Sequence, residues 1–300
     1  MPKNRTGDQT FEIKDYYCAQ DEHYYPRTDG RLWLYVELTD VCPAACPFCV
    51  NPGRKAGTTA FDIRCYETVL RKIRPYIYGV SFTGGEPMLT PELLDEAILI
   101  TSEVLGHEVE IDMVTSGIGL EKIPELRSVD RLDSIHISRH RIDDAENSRL
   151  MGIRAPSLDS IRQMISRLHD PGQAVFNCLL SRNGIHSTET IAAYLEMAAE
   201  AGVLNSSFIA MMPVNEYCIQ ERVETCTLDF SRDPRFHIWN RFHDYDYCSC
   251  CSGDYHARAG YVRFYCRSAG TRTAPYARQI IYTHDNRLRK GFGGEEWRLI

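Results

Sequence analysis

Three cysteines stand close together in the first quarter of the chain, and their spacing could hold a metal cluster. Cys42, Cys46 and Cys49 form a C-x3-C-x2-C pattern directly after the apolar run from Leu32 to Leu38. Thiolates from one short loop can bind three corners of a cubane iron-sulfur cluster, and the loop has no fourth cysteine for the remaining iron. The pattern therefore predicts a 4Fe-4S cluster with one iron open to another molecule.

A second motif follows the next predicted strand, where Gly84, Gly85, Glu86 and Pro87 stand in sequence. Two glycines allow the backbone to pass close to a ligand. The carboxylate of Glu86 can then pair with a protonated amine. The alternative is a plain turn whose acid faces solvent.

Other uses of clustered thiols fit less well. Zinc loops usually combine C-x2-C pairs with a second pair or with histidines, which this loop does not do. The chain opens Met-Pro-Lys-Asn-Arg without an apolar signal segment, so we expect reduced thiols and a cytoplasmic location rather than disulfides.

Composition argues against two classes of partner, nucleic acid and membrane. The formal net charge of -7 and the lack of long Lys/Arg runs argue against nucleic acid, and no uninterrupted apolar segment is long enough for a membrane span. A chain of 300 residues fits one large domain with a smaller one.

The elements that must position the two motifs alternate between strands and helices. Predicted strands cover 31–37, 76–82, 109–114, 132–137, 174–180 and 207–213, and predicted helices cover 61–74, 91–103, 157–168 and 187–201. At most a short helix is predicted at 120–126, because Pro124 interrupts it. Such alternation is typical of a parallel sheet with right-handed crossovers, and both motifs follow strand ends, where α/β enzymes place their chemistry. Six such units are too few to close an eight-fold barrel.

Together, the cysteine loop with Phe48 before its last cysteine and the Gly-Gly-Glu-Pro turn resemble the radical S-adenosyl-L-methionine (AdoMet) superfamily. The resemblance covers roughly residues 31–214. It implies an α/β fold with an open partial (β/α)6 barrel, a 4Fe-4S cluster on Cys42, Cys46 and Cys49, and AdoMet bound at the open iron. Reductive cleavage would yield a 5'-deoxyadenosyl radical that abstracts a hydrogen atom.

The same resemblance suggests further contacts to AdoMet. Gly84, Gly85 and Glu86 would contact its amino group, while Ser116, Ser138 and Arg139 lie at predicted strand ends where ribose and carboxylate contacts gather. For the last three, ordinary loop polarity is an equal alternative. His136 and His140 are interpreted as core or loop histidines. The implied divisions are an N-terminal extension at 1–30, the barrel at 31–213 and an auxiliary-cluster domain, a small cysteine-rich α+β extension, at 214–300.

Cysteines in the last third of the chain predict a second metal group. Cys251, Gly260 and Cys266 are spaced as a hairpin with a thiolate at each end, similar to the twitch and SPASM extensions that hold an auxiliary 4Fe-4S cluster. Cys218 is the natural third ligand, and either Cys226 or Cys248 is the fourth.

At least one thiol in the Cys248, Cys250 and Cys251 group would then be spare, and a spare thiol could return a hydrogen atom to a substrate radical. Cys250 is the preferred donor because neighbours in an extended segment point to opposite sides, but Cys248 points the same way as Cys250. The alternatives are a small apolar residue or a cluster ligand.

The function expected from these features is a radical epimerase that inverts a carbon centre of an aminoglycoside, in antibiotic biosynthesis of the neomycin type. Its partners would be a small cationic sugar and an external one-electron donor such as flavodoxin or ferredoxin. Alternatives are a radical dehydrogenase of an aminocyclitol or sugar alcohol, a peptide-modifying radical enzyme, and a zinc or iron-sulfur binding module without catalytic activity.

Overall fold

The computed structural model describes residues 11–18, 31–50, 60–223, 228, 230, 233, 235–241, 251–257, 260–265, 279–289 and 296–297. Residues 11–18, 237–241, 251–257, 260–265 and 296–297 are described by their backbone. Within these ranges the chain forms the following strands: β1 Phe11–Cys18, β2 Leu32–Glu37, β3 Ile77–Thr83, β4 Glu110–Thr115, β5 Ser134–Ser138, β6 Ala174–Leu180, β7 Asn205–Ala210, β8 Phe236–Arg241, β9 Cys251–Ala257, β10 Gly260–Tyr265, β11 Gln279–Tyr282, β12 Leu288–Arg289 and β13 Glu296–Trp297.

The α-helices are α1 Ile63–Ile73, α2 Pro91–Leu105, α3 Asp144–Met151, α4 Leu158–Ile165, α5 Thr188–Glu200 and α6 Glu216–Glu221. Among the described residues, none of the helices combines the length and apolarity needed to cross a bilayer.

The strands form one hydrogen-bonded sheet in the order β13-β12-β11-β2-β3-β4-β5-β6-β7-β10-β9-β1-β8. From β2 to β7 the neighbours follow chain order and run parallel, as alternating strands and helices predict. The sheet does not close on itself, so the predicted open partial barrel is confirmed.

The two faces of the parallel strands differ in chemistry. Phe176 of β6 and Phe208 of β7 pack against Tyr194 of α5, with ring centroids 6.1 and 5.3 Å apart. Because side chains alternate along a strand, Asn177 and Ser207 point to the other face, the interior of the barrel. Helices therefore cover an apolar outer face, and the interior is partly polar.

Helix α3 lies between the predicted strand at 132–137 and the predicted helix at 157–168, where no helix is predicted. Asp143 caps this helix by accepting a hydrogen bond from the Glu146 amide at 2.9 Å, and Gly152 ends it in the left-handed conformation at φ 65°. Caps rather than an apolar stripe specify this helix, which is why periodicity misses it.

Segments from both ends of the chain join the sheet. Strand β11 lies parallel to β2 at one edge, and β1 pairs with β8 and β9 beyond the other. The antiparallel pairing of β9 with β10 confirms the predicted hairpin. The division at 1–30, 31–213 and 214–300 stays a prediction.

We expect Thr101→Val to lower the free energy of unfolding by about 1–3 kcal/mol, because the buried Tyr66 hydroxyl would lose its partner. The two hydroxyl oxygens lie 2.6 Å apart between α1 and α2. Urea unfolding of the single variants and of Tyr66→Phe/Thr101→Val measures the coupling. The double variant should lose less stability than the two single variants together; additive losses would contradict the pairing.

Candidate active site

The cysteine loop leaves β2 and is held by the C-terminal end of α3. The Ala45 amide donates to the Met151 carbonyl at 2.9 Å, and the Cys46 thiol lies 3.8 Å from the same oxygen. A Cβ atom at Gly152 would lie only 2.9 Å from the Cβ of Ala45, so the loop packs directly on the end of the helix. The unexpected helix is therefore a support for the predicted cluster loop.

The three thiols of the loop form no disulfide and are half-buried. Burial raises the pKa of Cys46 to about 12, and the nearby Cys49 and Cys42 thiols add to the shift. Burial also raises the pKa of Cys42, with Glu86 and Cys49 contributing. Several thiolates would repel one another here unless a cationic metal group compensated them.

This donor set fits a cubane cluster. In the part of the chain that the structure describes, no three His, Cys, Asp or Glu side chains converge on one metal ion. A cubane instead takes one thiolate at each of three irons, so its ligands surround the cluster without meeting at a point.

The Gly-Gly-Glu-Pro turn is bound to the start of the cysteine loop by two backbone hydrogen bonds. The Gly85 amide donates to the Thr39 carbonyl at 2.7 Å, and the Glu86 amide donates to the Val41 carbonyl at 2.8 Å. A Cβ atom at Gly85 would lie 1.9 Å from the Val41 carbonyl oxygen, and Gly84 adopts φ 120°. Only glycine fits this crossing.

Glu86 is completely buried beside this crossing. One carboxylate oxygen accepts from the Thr115 hydroxyl at 2.7 Å and the Met88 amide at 3.1 Å, and the other accepts from the amide of Ser116 at 2.7 Å and from its hydroxyl. Burial raises the pKa of Glu86, while these hydrogen bonds oppose the shift. The burial of Glu86 excludes the alternative of a plain turn whose acid faces solvent, and Ser116 lies at the carboxylate.

Ser138 is the last residue of β5, and Arg139 directly follows it. Ser138 is half-buried on the interior face, whereas Arg139 is 1% exposed and forms an ion pair with Asp144 at 2.8 Å. One guanidinium nitrogen also donates to the Ile142 carbonyl at 2.5 Å, and Nε and Nη1 have no partner within the described residues. The carboxylate-clamp role of Arg139 stays a prediction.

His140 supports the loop, a role that sequence reasoning did not assign to it. Its ring packs edge-on against Phe48 with centroids 4.7 Å apart, and its Nδ1 accepts the Leu179 amide at 3.1 Å. Burial, with the charge of Arg141 adding, lowers the pKa of His140 to about 3. The imidazole therefore stays neutral and acts through packing.

Asn215 joins the cysteine loop to α6 and was also missed. Its amide group donates to the Pro47 carbonyl at 2.9 Å, and its Oδ1 caps α6 by accepting the Cys218 amide at 2.9 Å. Cys218 is buried, and the nearby Cys49 is among the groups that raise its pKa, after burial itself. An asparagine just before a short helix is a capping signal that a sequence can show. The hydrogen bond from Asn215 to the Pro47 carbonyl joins residues far apart in the sequence, so only the structure reveals it.

Most of the other predicted cysteine sites lie outside the described residues. Cys251 is the first residue of β9, where its Cα is paired with that of Cys18 in β1. Cys226, Cys248, Cys250 and Cys266 lie outside the described residues. Their roles as ligands or hydrogen donors stay predictions.

Comparisons with known proteins agree with the motifs. The family model of the radical SAM superfamily matches residues 36–181. The PqqA peptide cyclase of Gluconobacter oxydans is 33% identical over 127 residues, which are 40% of this chain and 34% of that protein. The PqqA peptide cyclase of Methylorubrum extorquens strain PA1 is 26% identical over 56% of this chain and 43% of its own length. The aligned part thus spans less than half of either relative.

Solved structures show the same fold. Streptococcus suis SuiB bound to S-adenosylmethionine superimposes with a TM-score of 0.57 at 13% identity, covering 90% of this chain and 63% of SuiB. SuiB bound to its precursor peptide SuiA gives a TM-score of 0.56 at 14% identity, covering 87% and 59%. Together with the cysteine loop, the buried Glu86 and the open barrel, the family match identifies residues 36–181 as a radical SAM domain.

Proposed function

We propose that this chain is a radical SAM enzyme that removes a hydrogen atom from a carbon of its substrate. The observation that carries the proposal is the attachment of the three-cysteine loop to the Glu86 turn through the Thr39 and Val41 carbonyls. When bound, a 4Fe-4S cluster of this family supplies the electron for AdoMet cleavage, and the 5'-deoxyadenosyl radical abstracts the hydrogen.

Different residues of the chain would bind the cluster, support the cysteine loop and orient AdoMet. Cys42, Cys46 and Cys49 would hold the cluster, and Met151, Phe48 with His140, and Asn215 would keep their loop in place. Glu86, already oriented by Thr115 and Ser116, would orient the amino group of AdoMet. Because its partners lie within the protein, the carboxylate is pre-organised before any ligand arrives.

The comparisons favour a peptide as the substrate. The curated relatives are named PqqA peptide cyclases, and SuiB has been solved with a precursor peptide. In support of the proposal, the family model covers residues 36–181, which include the cysteine loop and Glu86. A peptide-modifying activity is therefore the first substrate class to assay.

A second candidate is the epimerase that inverts a carbon of an aminoglycoside, as in conversion of neomycin C to neomycin B. The Cys248-Ser249-Cys250-Cys251 segment favours it, because the segment has more thiols than a hairpin ligand requires. The 5'-deoxyadenosyl radical would take one hydrogen atom, and the thiol of Cys250 or Cys248 would give one back from the other face. The resulting thiyl radical would then need one electron and one proton, for which an auxiliary cluster and flavodoxin or ferredoxin are the proposed source.

Iron content tests the two proposed clusters separately. We expect about eight irons per anaerobically reconstituted chain and about four after Cys42, Cys46 and Cys49 are replaced together by Ala. That triple variant should form no 5'-deoxyadenosine. Cys65→Ala is the matched control, a half-buried cysteine on α1 outside the loop. A zinc-loaded protein without iron would contradict the radical function.

Glu86→Gln should weaken AdoMet binding by roughly 10- to 100-fold, because the amide would present N–H groups to the donors that now surround an oxygen. Iron content should be unchanged, since no cysteine is altered. Equilibrium dialysis against labelled AdoMet measures the affinity, with the exposed Glu92→Gln as control. Wild-type affinity in Glu86→Gln would exclude Glu86 from AdoMet binding.

Turnover in deuterated water separates the two substrate classes. With an aminoglycoside, an epimerase should place one deuterium on the inverted carbon, and Cys250→Ala should form 5'-deoxyadenosine without inverted product. A ketone product would instead indicate the dehydrogenase alternative. A cross-linked peptide product, with no change to aminoglycosides, would establish the peptide candidate. Unchanged epimerisation by Cys250→Ala would transfer the donor role to Cys248.

A further inference from the structure

The hairpin of β11 and β12 lies beside the strand that leads into the cysteine loop. Strand β11 is parallel to β2, with Tyr282 in register with Val36. Because both strands run in the same direction, the turn after β11 and the chain after β2 leave the sheet at the same edge. The turn is closed by hydrogen bonds from the Thr283 amide to the Arg287 carbonyl and from the Asn286 amide to the Thr283 carbonyl, both 2.9 Å long. A structured turn is therefore placed next to the entry of the cysteine loop.

Asn286 joins this turn to the chain on the far side of the three cysteines. Its side-chain amide donates to the Ala60 carbonyl at 2.6 Å, and its Oδ1 accepts the Asp62 amide at 2.8 Å. Asp62 is the N-cap of α1, where it accepts from the amides of Arg64 and Cys65. Asn286 adopts φ 63°, in the left-handed region that asparagine tolerates. One side chain thus binds both a backbone donor and a backbone acceptor at the start of α1.

Tyr282 orients Asn286 and attaches the turn to α1. Its hydroxyl donates to the Asn286 Oδ1 at 3.0 Å. Tyr282 is 1% exposed, and its ring packs against Phe61 and Tyr66, with centroids 5.5 and 5.3 Å apart. This packing does not use the amide group of Asn286, so we expect the hairpin to stay in place when that group is removed.

The same turn also lies against the chain on the near side of the cysteines. His284 Nε2 is 3.6 Å from a carboxylate oxygen of Asp40, and the two side chains are 18% and 19% exposed. Asp40 stands between Thr39 and Val41, whose carbonyls bind the Gly-Gly-Glu-Pro turn. One turn therefore contacts the chain on both sides of the stretch that carries the three cysteines.

We propose that the turn at 282–287 is a clasp for the cysteine loop and that Asn286 is a positioning residue for the cluster of that loop. This inference rests on the proposed radical SAM function, because it takes the loop to hold a 4Fe-4S cluster. The clasp ties the exit of the cysteine stretch, at Ala60 and Asp62, to its entry at Asp40. A stretch with both ends fixed has fewer conformations in which a thiolate can leave the cluster, so the clasp slows cluster loss.

The test measures how fast the anaerobically reconstituted protein loses iron to a ferrous chelator. Asn286→Gly removes both side-chain hydrogen bonds to the start of α1, and glycine suits the left-handed backbone at this position. Iron release from the cluster of the cysteine loop should become roughly 3- to 30-fold faster, because two hydrogen bonds that close the stretch are lost. The electron paramagnetic resonance signal that changes on addition of AdoMet should decline at the same faster rate, which assigns the lost iron to that cluster.

Asp285→Asn is the matched control, because Asp285 lies in the same turn and binds Thr283 and Arg287 within it. This variant should release iron at the wild-type rate. Release at the wild-type rate by Asn286→Gly would overturn the proposal. An equal acceleration by Asp285→Asn would also overturn it, because general stability of the turn would then explain the effect. So would faster loss confined to the signal that AdoMet does not change.

A second variant decides the matter if Asn286→Gly does not fold. Tyr282→Phe removes one hydroxyl from the clasp and keeps the ring that packs against α1, so its iron release should be roughly 2- to 5-fold faster. An unchanged rate in Tyr282→Phe would overturn the proposal. Formation of 5'-deoxyadenosine by the freshly reconstituted wild type reports the radical function separately. A wild type that forms this nucleoside, with an Asn286→Gly variant that retains its iron, would therefore overturn the clasp alone.

Discussion

The close passage of two backbone segments at Gly85 is the constraint on which the site depends. The Gly85 and Glu86 amides bind the carbonyls that lead into the cysteine loop, and any side chain at position 85 would overlap Val41. This contact fixes the distance between the thiols and Glu86 without using a functional side chain. Because it is a backbone contact, neighbouring residues can change without altering the geometry.

Three further contacts hold the cysteine loop around this crossing. The C-terminal end of α3 holds Ala45, the ring of His140 holds Phe48, and the amide of Asn215 holds Pro47. Each support comes from a different part of the chain, so the loop is fixed from several directions. A loop held in this way keeps its thiols in place before a cluster binds, which reduces the ordering entropy that binding must overcome.

The sequence predicted the strands from β2 to β7 and the two motifs because these depend on local patterns. Alternating apolar residues and Gly-Gly-Glu-Pro can be recognised without tertiary contacts. It did not predict α3, which is polar and defined by its caps, nor the supporting roles of Met151 and Asn215, which act across long sequence separations. It also missed the hydrogen bond between His136 and the Asn177 side chain, because the two residues are far apart in the sequence and meet only through strand register.

This difference explains why family membership is easier to infer than substrate. The radical-forming part uses glycines and cysteines whose identity is dictated by backbone passage and by metal chemistry, so its motif is visible in the sequence. The polar side chains on the interior face are serine, asparagine, histidine and aspartate, which are common in any loop or strand. Their meaning comes from the register that aligns Ser138, Asn177 and Ser207 and from the helices that cover the opposite face. Similarity in the barrel therefore supports the proposed AdoMet chemistry more strongly than either proposed substrate.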